Sequence, residues 1–341
     1  MPANVESMAY RAAGGEPWHR EGVAVTNDMS VDDMLKVSGL DWTVSKRPMY
    51  FPMQMPDGKR KLRIVPDEYA YVRDSDESVL DTVGSMFKPV QNHEIFDFFR
   101  RFVVAGDMEM ETAGSLKGGK FIWALARIKD GSFTLGKGAK ADRTDAYLLL
   151  SQPHQFGYSL TAALTSVRVV CWNTISHALG AKLDGSGGSN SVTFRMTHAR
   201  AFDADMKSQA ERTLGLAHDG IKAYSHTAEM LSQVGANEDQ VTDYFYDVLK
   251  IEATDEEKLE METEETENRR LKRFREAMLT APGQELPTAQ GTWFGALNAV
   301  TYSVDHLIGR DENRLHAAWY GRGSVIKRRA LELAVQYAEA A

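Results

Sequence analysis

Hydrophobic and polar residues alternate most clearly at positions 121–129 of the 341-residue chain. Phe121, Trp123 and Leu125 occupy one set of alternate positions, and the residues between them are Ile or Ala. This period of two is typical of a β-strand with two different faces. The Asp130-Gly131 pair that follows is a strong hairpin signal. We therefore expect a second strand at 132–135 and a third, more buried strand at 146–151.

The next apolar segment, residues 159–180, has side chains at helical spacing. Leu160, Leu164 and Val167 lie on one helix face, Ser159 can cap the first turn, and Gly180 can end the helix. The pattern predicts a helix, which would complete a β-β-β-α core. The β-branched residues at 167–170 favour a strand instead, so both alternatives stay open for that part of the segment.

The segments before this core carry weaker patterns. Residues 1–16 have little apolar periodicity and are expected to form a loose arm. Ser30 and Gly39 bracket a short helix, and Asn92 and Gly106 bracket a longer one. Strands are expected at 42–44 and 61–65 around a turn at 56–58, and at 191–196 after a flexible connector at 184–190.

From residue 201 onward the pattern becomes helical. The segments with helical periodicity are 202–234, 240–251, 254–279, 293–308 and 324–340. We therefore predict an α+β fold in which an antiparallel sheet with the β-β-β-α core is followed by a mostly helical C-terminal part. The predicted domains are residues 1–200, an α+β domain with the central hairpin sheet, and residues 201–341, a helical domain.

Charge is distributed unevenly along the chain. The formal net charge is −8, and residues 252–267 alone hold nine acidic residues against one lysine. Residues 117–143 hold seven basic residues against two acidic ones. A basic hairpin region on a nearly neutral body is compatible with a nucleic-acid partner, although the net charge alone would argue against one.

Composition narrows the cellular setting. The chain has 43% hydrophobic residues, which support a sizeable core, and no apolar run long enough to cross a membrane. We expect no membrane partner and no secretory leader. The single cysteine excludes an intrachain disulfide framework and fits a reducing cytoplasm.

Signals for enzymatic chemistry are weak. Cys171 with His154, His177 or His198 would be the start of a cysteine nucleophile site, but Cys171 lies in an apolar segment that indicates a structural residue. No histidine pair or cysteine pair has metal-ligand spacing. The glycine-rich segment at 114–120 leads into a strand rather than Ser or Thr and a helix, so it does not match a P-loop. A glycine-rich basic hairpin tip fits these residues better. We predict no catalytic residues, no metal and no cofactor.

Basic residues interleaved with aromatic ones are what a single-stranded nucleic-acid groove requires, because cations contact phosphates and exposed rings stack on bases. The predicted binding residues are Lys117, Lys120, Trp123, Arg127, Lys137, Lys140, Arg143 and Arg168, with Phe121 as an alternative stacking residue. Arg168 and Trp172 would share a helix face and form a cation-π pair. The alternative is a solvated hairpin whose aromatic residues face inward.

Five stretches together resemble the phage and plasmid-borne family called domain of unknown function 932. They are PWH at 17–19, GLDW at 39–42, ETAGSL at 111–116 with Trp123, TSVRVVCWNT at 165–174, and WFGALNAVT at 293–301 with Asp305 and His306. The resemblance covers nearly the whole chain and implies a mobile-element protein of a bacterial cytoplasm, without an activity. The order of elements is also similar to the β-β-β-α core of single-strand annealing proteins, which is an analogy of architecture alone.

Two functions of different classes follow from these observations. The first is a non-enzymatic protein that oligomerises and binds DNA, single strands in preference to duplex, in phage or plasmid recombination or replication. The second is a protein-interaction factor, such as a host-defence inhibitor or an adaptor, that uses the acidic surface at 252–267.

Overall fold

The computed structural model describes residues 5–12, 21–26, 29–105, 107–168, 173–176, 193–205, 208, 212, 217–249, 269–310, 314, 317–319 and 321–341. The strands are β1 (Val5–Arg11), β2 (Val23–Val25), β3 (Val44–Gln54), β4 (Arg60–Arg73), β5 (Val79–Gly84), β6 (Met108–Leu116), β7 (Phe121–Ile128), β8 (Phe133–Leu135), β9 (Asp142–Pro153), β10 (Ser159–Arg168), β11 (Asn173–Ser176) and β12 (Thr193–Thr197). The α-helices are α1 (Val31–Val37), α2 (Asn92–Ala105), α3 (Ala217–Gln233), α4 (Glu238–Leu249), α5 (Arg269–Thr280), α6 (Trp293–Tyr302) and α7 (Arg322–Glu339). The α+β class, the antiparallel pairing and the helical C-terminal part are as predicted.

The chain divides into two compact units that alternate along the sequence. The first unit comprises Met1–Lys129, Leu148–Ala163 and Thr193–Gly215, and the second comprises Asp130–Tyr147, Leu164–Val192 and Leu216–Ala341. The strands β9 and β10 therefore each contribute residues to both units. No helix in the described ranges is both long and apolar enough to span a membrane.

The first unit is built on a sheet with the strand order β2-β1-β6-β7-β9-β10-β12. Helix α2 packs on β6 and β7, burying Ile95, Phe98 and Phe99. At the centre of β6, a Cβ on Gly114 would lie 2.4 Å from the Trp123 ring and 2.5 Å from the Ser7 carbonyl oxygen. Only glycine allows β1 and the indole to approach β6 this closely.

A second, three-stranded sheet in the first unit has the order β3-β4-β5. The predicted turn at 56–58 joins β3 to β4, but both strands are longer than expected. Strand β5 pairs with β4 only from Glu68 to Val72, so β3 and the preceding part of β4 continue as a two-stranded ribbon. We call residues 50–64 the ribbon arm; none of them is buried.

The second unit is mainly helical. Every residue from 293 to 301 in α6 is buried, and α6 contacts α3, α4, α5 and α7. The ring of Tyr244 on α4 lies 5.6 Å from that of Trp293, and its hydroxyl donates to the carbonyl of Ala330 on α7. Helix α6 is followed directly by one π-helical turn, Ser303–Leu307.

The helix predicted over 159–180 is wrong where the structure describes that segment. Residues 159–168 and 173–176 are the strands β10 and β11, so the helix of the β-β-β-α core is absent from those positions. From Leu160 to Val167, residues on both faces of β10 are buried or nearly so. A strand covered on both sides need not alternate between apolar and polar residues, and β10 does not, since Thr161, Thr165 and Ser166 lie among its buried apolar residues.

Two further expectations are corrected. The N-terminal segment is not a loose arm throughout, because Val5–Arg11 forms β1 between β2 and β6; a bulge between Val5 and Ser7 disturbs its alternation. Strand β8 does not pair back on β7. It pairs with β9, where Phe133 lies opposite Thr144.

Several predicted features lie outside the described residues. They are the connector at 184–190, the acidic segment at 252–267, the residues Cys171, Trp172 and His177, and the stretch at 17–19. In the predicted helix over 202–234, the described residues Ala204, Asp205, Ser208 and Arg212 are helical and α3 begins at Ala217. The described part of the helix predicted over 254–279 begins at Arg269.

Candidate nucleic-acid interface

The predicted basic hairpin tip is formed by the turn between β6 and β7. The backbone has φ of 54° at Lys117, 66° at Gly118 and 80° at Gly119. A Cβ on Gly119 would lie 3.1 Å from Nη1 of Arg73 and 3.3 Å from the Trp42 ring. The left-handed conformation and this close packing explain the glycines and hold the flanking lysines in a defined position.

Lys117 and Lys120 form a concentrated positive charge at this tip. The ammonium of Lys117 lies 5.4 Å from the centre of the Phe121 ring. Burial, and secondarily the charge of Lys120, lower the pKa of Lys117. Neither lysine forms an ion pair within the described part of the chain. An arriving anion would relieve the repulsion between the two ammonium groups.

The prediction that Trp123 or Phe121 stacks on bases is wrong. Trp123 and Phe121 are each only 2% exposed. Trp123 faces Gly114 inside the sheet, and Tyr158 packs edge-to-face with Phe121, with 5.0 Å between ring centres. Side chains buried in this way cannot lie against a base. The hairpin therefore matches the alternative prediction, in which its aromatic residues face inward.

Two aromatic residues that the sequence analysis missed are exposed in the same unit. They lie in the turn between β9 and β10, where Phe156 is 70% and Tyr158 44% exposed. The backbone N–H of Phe156 donates to Oδ2 of Asp81 at 2.7 Å, which fixes the turn. Lys117 and Tyr158 contact the same buried ring, Phe121, so a cation and a partly exposed aromatic ring share one neighbour.

The sequence signal for these residues is a pair of aromatics around Gly157 in a short turn between apolar runs. Ser159 is also a favourable helix cap, so the predicted helix concealed that turn. We define Lys117, Lys120, Phe156 and Tyr158 as the tip platform.

Arg127, by contrast, has its charge balanced within the protein. Its guanidinium donates to Oε2 of Glu109 at 2.7 Å, and Arg11 and Lys129 also pair with that carboxylate. The hydrogen bond from Arg127, supported by Arg11, lowers the pKa of Glu109 to about 2. A phosphate would therefore have to compete with Glu109 for Arg127.

The remaining predicted cations belong to the second unit. Lys137 and Lys140 are exposed at a single 3₁₀ turn, Gly138–Lys140. Arg143 donates to Oδ1 of Asp145 at 2.7 Å. Arg168 is the last residue of strand β10. The predicted cation-π pair with Trp172 required both residues on one helix face, and Arg168 is not in a helix.

One of the histidines considered for catalysis has a structural environment instead. His154 is fully buried, with Nδ1 3.0 Å from the Tyr71 hydroxyl and Nε2 2.9 Å from Oδ1 of Asn92. The Asn92 amide N–H groups donate to the carbonyls of Leu40 and Trp42. Asn92 therefore accepts from Nε2–H while Tyr71 donates to Nδ1, which satisfies a neutral imidazole. No cluster of three metal-ligating side chains occurs among the residues that the structure describes.

His154 should make the protein lose stability in mild acid. Burial, and secondarily the positive charges of His198 and Arg73, lower the pKa of His154 to about 3. The unfolded chain, with a histidine pKa of about 6.5, binds the additional proton below that pH, so the free energy of unfolding falls by about 1.4 kcal/mol per pH unit as pH drops below 6.5. Urea titrations between pH 5 and 7 measure this slope.

The variant His154→Gln should reduce the slope by one proton, whereas Tyr71→Phe, which keeps the imidazole, should retain the wild-type slope. An unchanged slope in His154→Gln would assign the pH dependence to other groups.

Comparison with known proteins gives one match. A family model described as Domain of unknown function (DUF932) matches residues 79–319, most of the chain, and begins after β4. No curated protein matches the chain, and no solved structure matches it.

Proposed function

The chain belongs to the DUF932 family, whose description names no activity, and we therefore propose from its own surface that it is a non-enzymatic protein that binds single-stranded DNA. The site is the tip platform. The observation that carries this proposal is a pair of lysines that have no acidic partner among the described residues, one of which shares the Phe121 ring with the partly exposed Tyr158.

The two components of the platform match the two components of a DNA strand. Phosphate binding needs cations that are not already neutralised, and Lys117 and Lys120 meet this requirement within the described residues. Base stacking needs exposed rings, which Phe156 and Tyr158 supply. In a duplex the base faces are already stacked on each other, so exposed rings favour a single strand.

The setting proposed for this binding is recombination or replication of a phage or plasmid in a bacterial cytoplasm, with several copies of the chain on one strand. Annealing of complementary strands would follow if bound strands keep their base-pairing edges free. This part of the proposal rests on the family resemblance and on the absence of a P-loop match in the sequence.

Reversing both platform charges, Lys117→Glu with Lys120→Glu, should weaken binding of a labelled single-stranded oligonucleotide at least tenfold at low salt. Because two phosphates would no longer be neutralised, the slope of log affinity against log salt should also become shallower by about 1.4.

The variant Tyr158→Ala should weaken binding about tenfold with little change in that slope, because stacking contributes roughly 1–3 kcal/mol per base without releasing counterions. Fluorescence anisotropy measures both quantities.

The matched control is Lys36→Glu with Lys222→Glu, which makes the same charge change at exposed positions on α1 and α3. It should leave affinity within a few-fold of wild type. A separate pair, Lys137→Glu with Lys140→Glu, tests the predicted contribution of the second unit. If all four lysines 117, 120, 137 and 140 are reversed together and binding persists, these sites are wrong.

A further inference from the structure

The ribbon arm has no evident role within the described chain. Of residues 50–64, only Met53 and Met55 are partly covered, and the rest are exposed on both faces. Strand β4 begins at Arg60 and pairs with β5 only from Glu68 onward. The two-stranded part of the ribbon, residues 60–67 of β4, therefore extends about 23 Å, at about 3.3 Å per residue. An isolated two-stranded ribbon is marginally stable in water, so retaining one at this length suggests a bound state that uses it.

The two faces of the ribbon arm differ in chemistry. The register pairs Tyr50 with Ile64 and Pro52 with Leu62, which places these four apolar side chains on one face. The pair Gln54 and Arg60 lies on the same face nearer the turn. Phe51 pairs with Arg63 and Met53 with Lys61 on the other face, and Lys59 continues that face toward the turn. We call the second face, comprising Phe51, Met53, Lys59, Lys61 and Arg63, the basic face.

The charge on the arm is opposite in sign to that of the chain. Residues 50–64 hold four basic residues and one acidic one, whereas the whole chain has a net charge of −8. Near the base of the arm the cations are engaged: Arg47 pairs with Asp74, and the Lys46 ammonium donates to the carbonyls of Gly84 and Ser85.

Toward the turn the cations lack such partners. Lys59 has only a loose contact with Asp57 at 3.9 Å, and both side chains are exposed. Arg60, Lys61 and Arg63 have no acidic partner among the residues that the structure describes. The cations on the projecting part are therefore available to an external anion.

We propose that the ribbon arm is a second DNA site, separate from the tip platform, and that it binds duplex DNA through its basic face. A two-stranded β-ribbon fits the major groove of B-form DNA, which is about 12 Å wide, and ribbons are an established way of contacting duplexes. The groove walls carry phosphates, so Lys59, Lys61 and Arg63 meet charge of the opposite sign. A globular surface patch of equal charge would not enter the groove.

Duplex binding by the arm extends the proposed single-strand function, and together the two sites would suit a junction where a duplex opens into single strands. The arm site can be tested independently of the tip platform, because the two sites share no residue.

The test is anisotropy with a labelled 30-base-pair duplex, compared with a single strand of the same sequence. The variant Lys59→Glu with Lys61→Glu and Arg63→Glu should reduce duplex affinity at least tenfold and lower the salt slope by about 0.9 for each phosphate that the variant no longer binds. It should leave single-strand affinity within about threefold of wild type. The tip variant Lys117→Glu with Lys120→Glu should do the opposite, lowering single-strand affinity and leaving duplex affinity close to that of wild type. Because the arm residues are exposed, circular dichroism of the arm variant should match wild type.

The neutral variant Leu62→Ser with Ile64→Ser, on the apolar face, is the matched control and should leave duplex affinity within about threefold of wild type. Wild-type duplex affinity in the charge-reversed arm would overturn the proposal. A fall in molecular mass of the Leu62 and Ile64 variant by light scattering, with duplex binding unaffected by either arm variant, would identify the arm as an interface between copies and would also overturn it. Duplex binding that depends on the arm, without any single-strand binding, would support the arm site and refute the tip platform.

Discussion

Replacing Lys327 with methionine should lower the free energy of unfolding by about 3–5 kcal/mol, the usual effect of removing one partner of a buried ion pair. Lys327 on α7 is 2% exposed and Asp305, in the π-helical turn after α6, is 7% exposed. The Lys327 ammonium donates to Oδ1 of Asp305 at 2.7 Å. Without the lysine, the carboxylate would remain in a poorly hydrated environment. Equilibrium unfolding in urea measures the loss.

Two comparisons isolate burial as the cause. Replacing both partners, Lys327→Met with Asp305→Leu, should recover most of the lost stability, because no uncompensated charge remains. Arg273→Met breaks an ion pair of the same length, 2.7 Å to Glu276, between exposed side chains, and should cost less than about 1 kcal/mol. A Lys327→Met variant as stable as Arg273→Met would contradict this account.

Gly295→Ala should destabilise the second unit by about 3 kcal/mol or more, although alanine is ordinarily the better helix former by about 1 kcal/mol. A Cβ at position 295 would lie 1.9 Å from the carbonyl oxygen of Ala289 and 2.9 Å from its carbon. Main-chain atoms at that distance must move, and the Thr292 cap, whose side chain accepts from the Gly295 N–H, would move with them. Urea unfolding measures the change.

The control for this substitution is Gly84→Ala in β5, where the nearest atom to the new Cβ is the Asp67 carbonyl oxygen at 3.8 Å. That is ordinary van der Waals contact, so the expected change is below about 1 kcal/mol. Equal effects at the two positions would show that steric crowding at Gly295 is not the cause.

The elements predicted correctly are those whose signals are local. Ser30 accepts from the N–H of Asp33 and caps α1, and α2 begins at Asn92. The Asn92 side chain does not cap α2, because it is hydrogen-bonded to His154 and to the carbonyls of Leu40 and Trp42. The Asp57-Gly58 turn joins β3 and β4. Caps and turns depend on neighbouring residues, so the sequence carries them directly. Strand β10 was missed because burial on both faces removes the alternation that identifies a strand.

The candidate sites show the same division between local and tertiary information. The glycines at 118 and 119 predicted a hairpin tip with Lys117 and Lys120 on either side, and this is confirmed. Which aromatic side chains face outward depends on the neighbouring strands. The sequence therefore indicates Trp123 as the residue that stacks on bases and does not single out Tyr158. The ribbon arm was missed because its length depends on where β5 stops pairing with β4, which no single residue signals.

Single-strand binding by the tip platform can be decided by the affinity of the purified wild-type chain for a labelled single-stranded oligonucleotide as salt is raised. We expect the affinity to fall steeply, with a slope of log affinity against log salt of about −0.7 for each phosphate contact. We also expect Lys117→Glu with Lys120→Glu to lower the affinity at least tenfold at low salt. No binding at low salt, or binding that is insensitive to salt and to this variant, would contradict the claim that the tip platform binds a DNA strand.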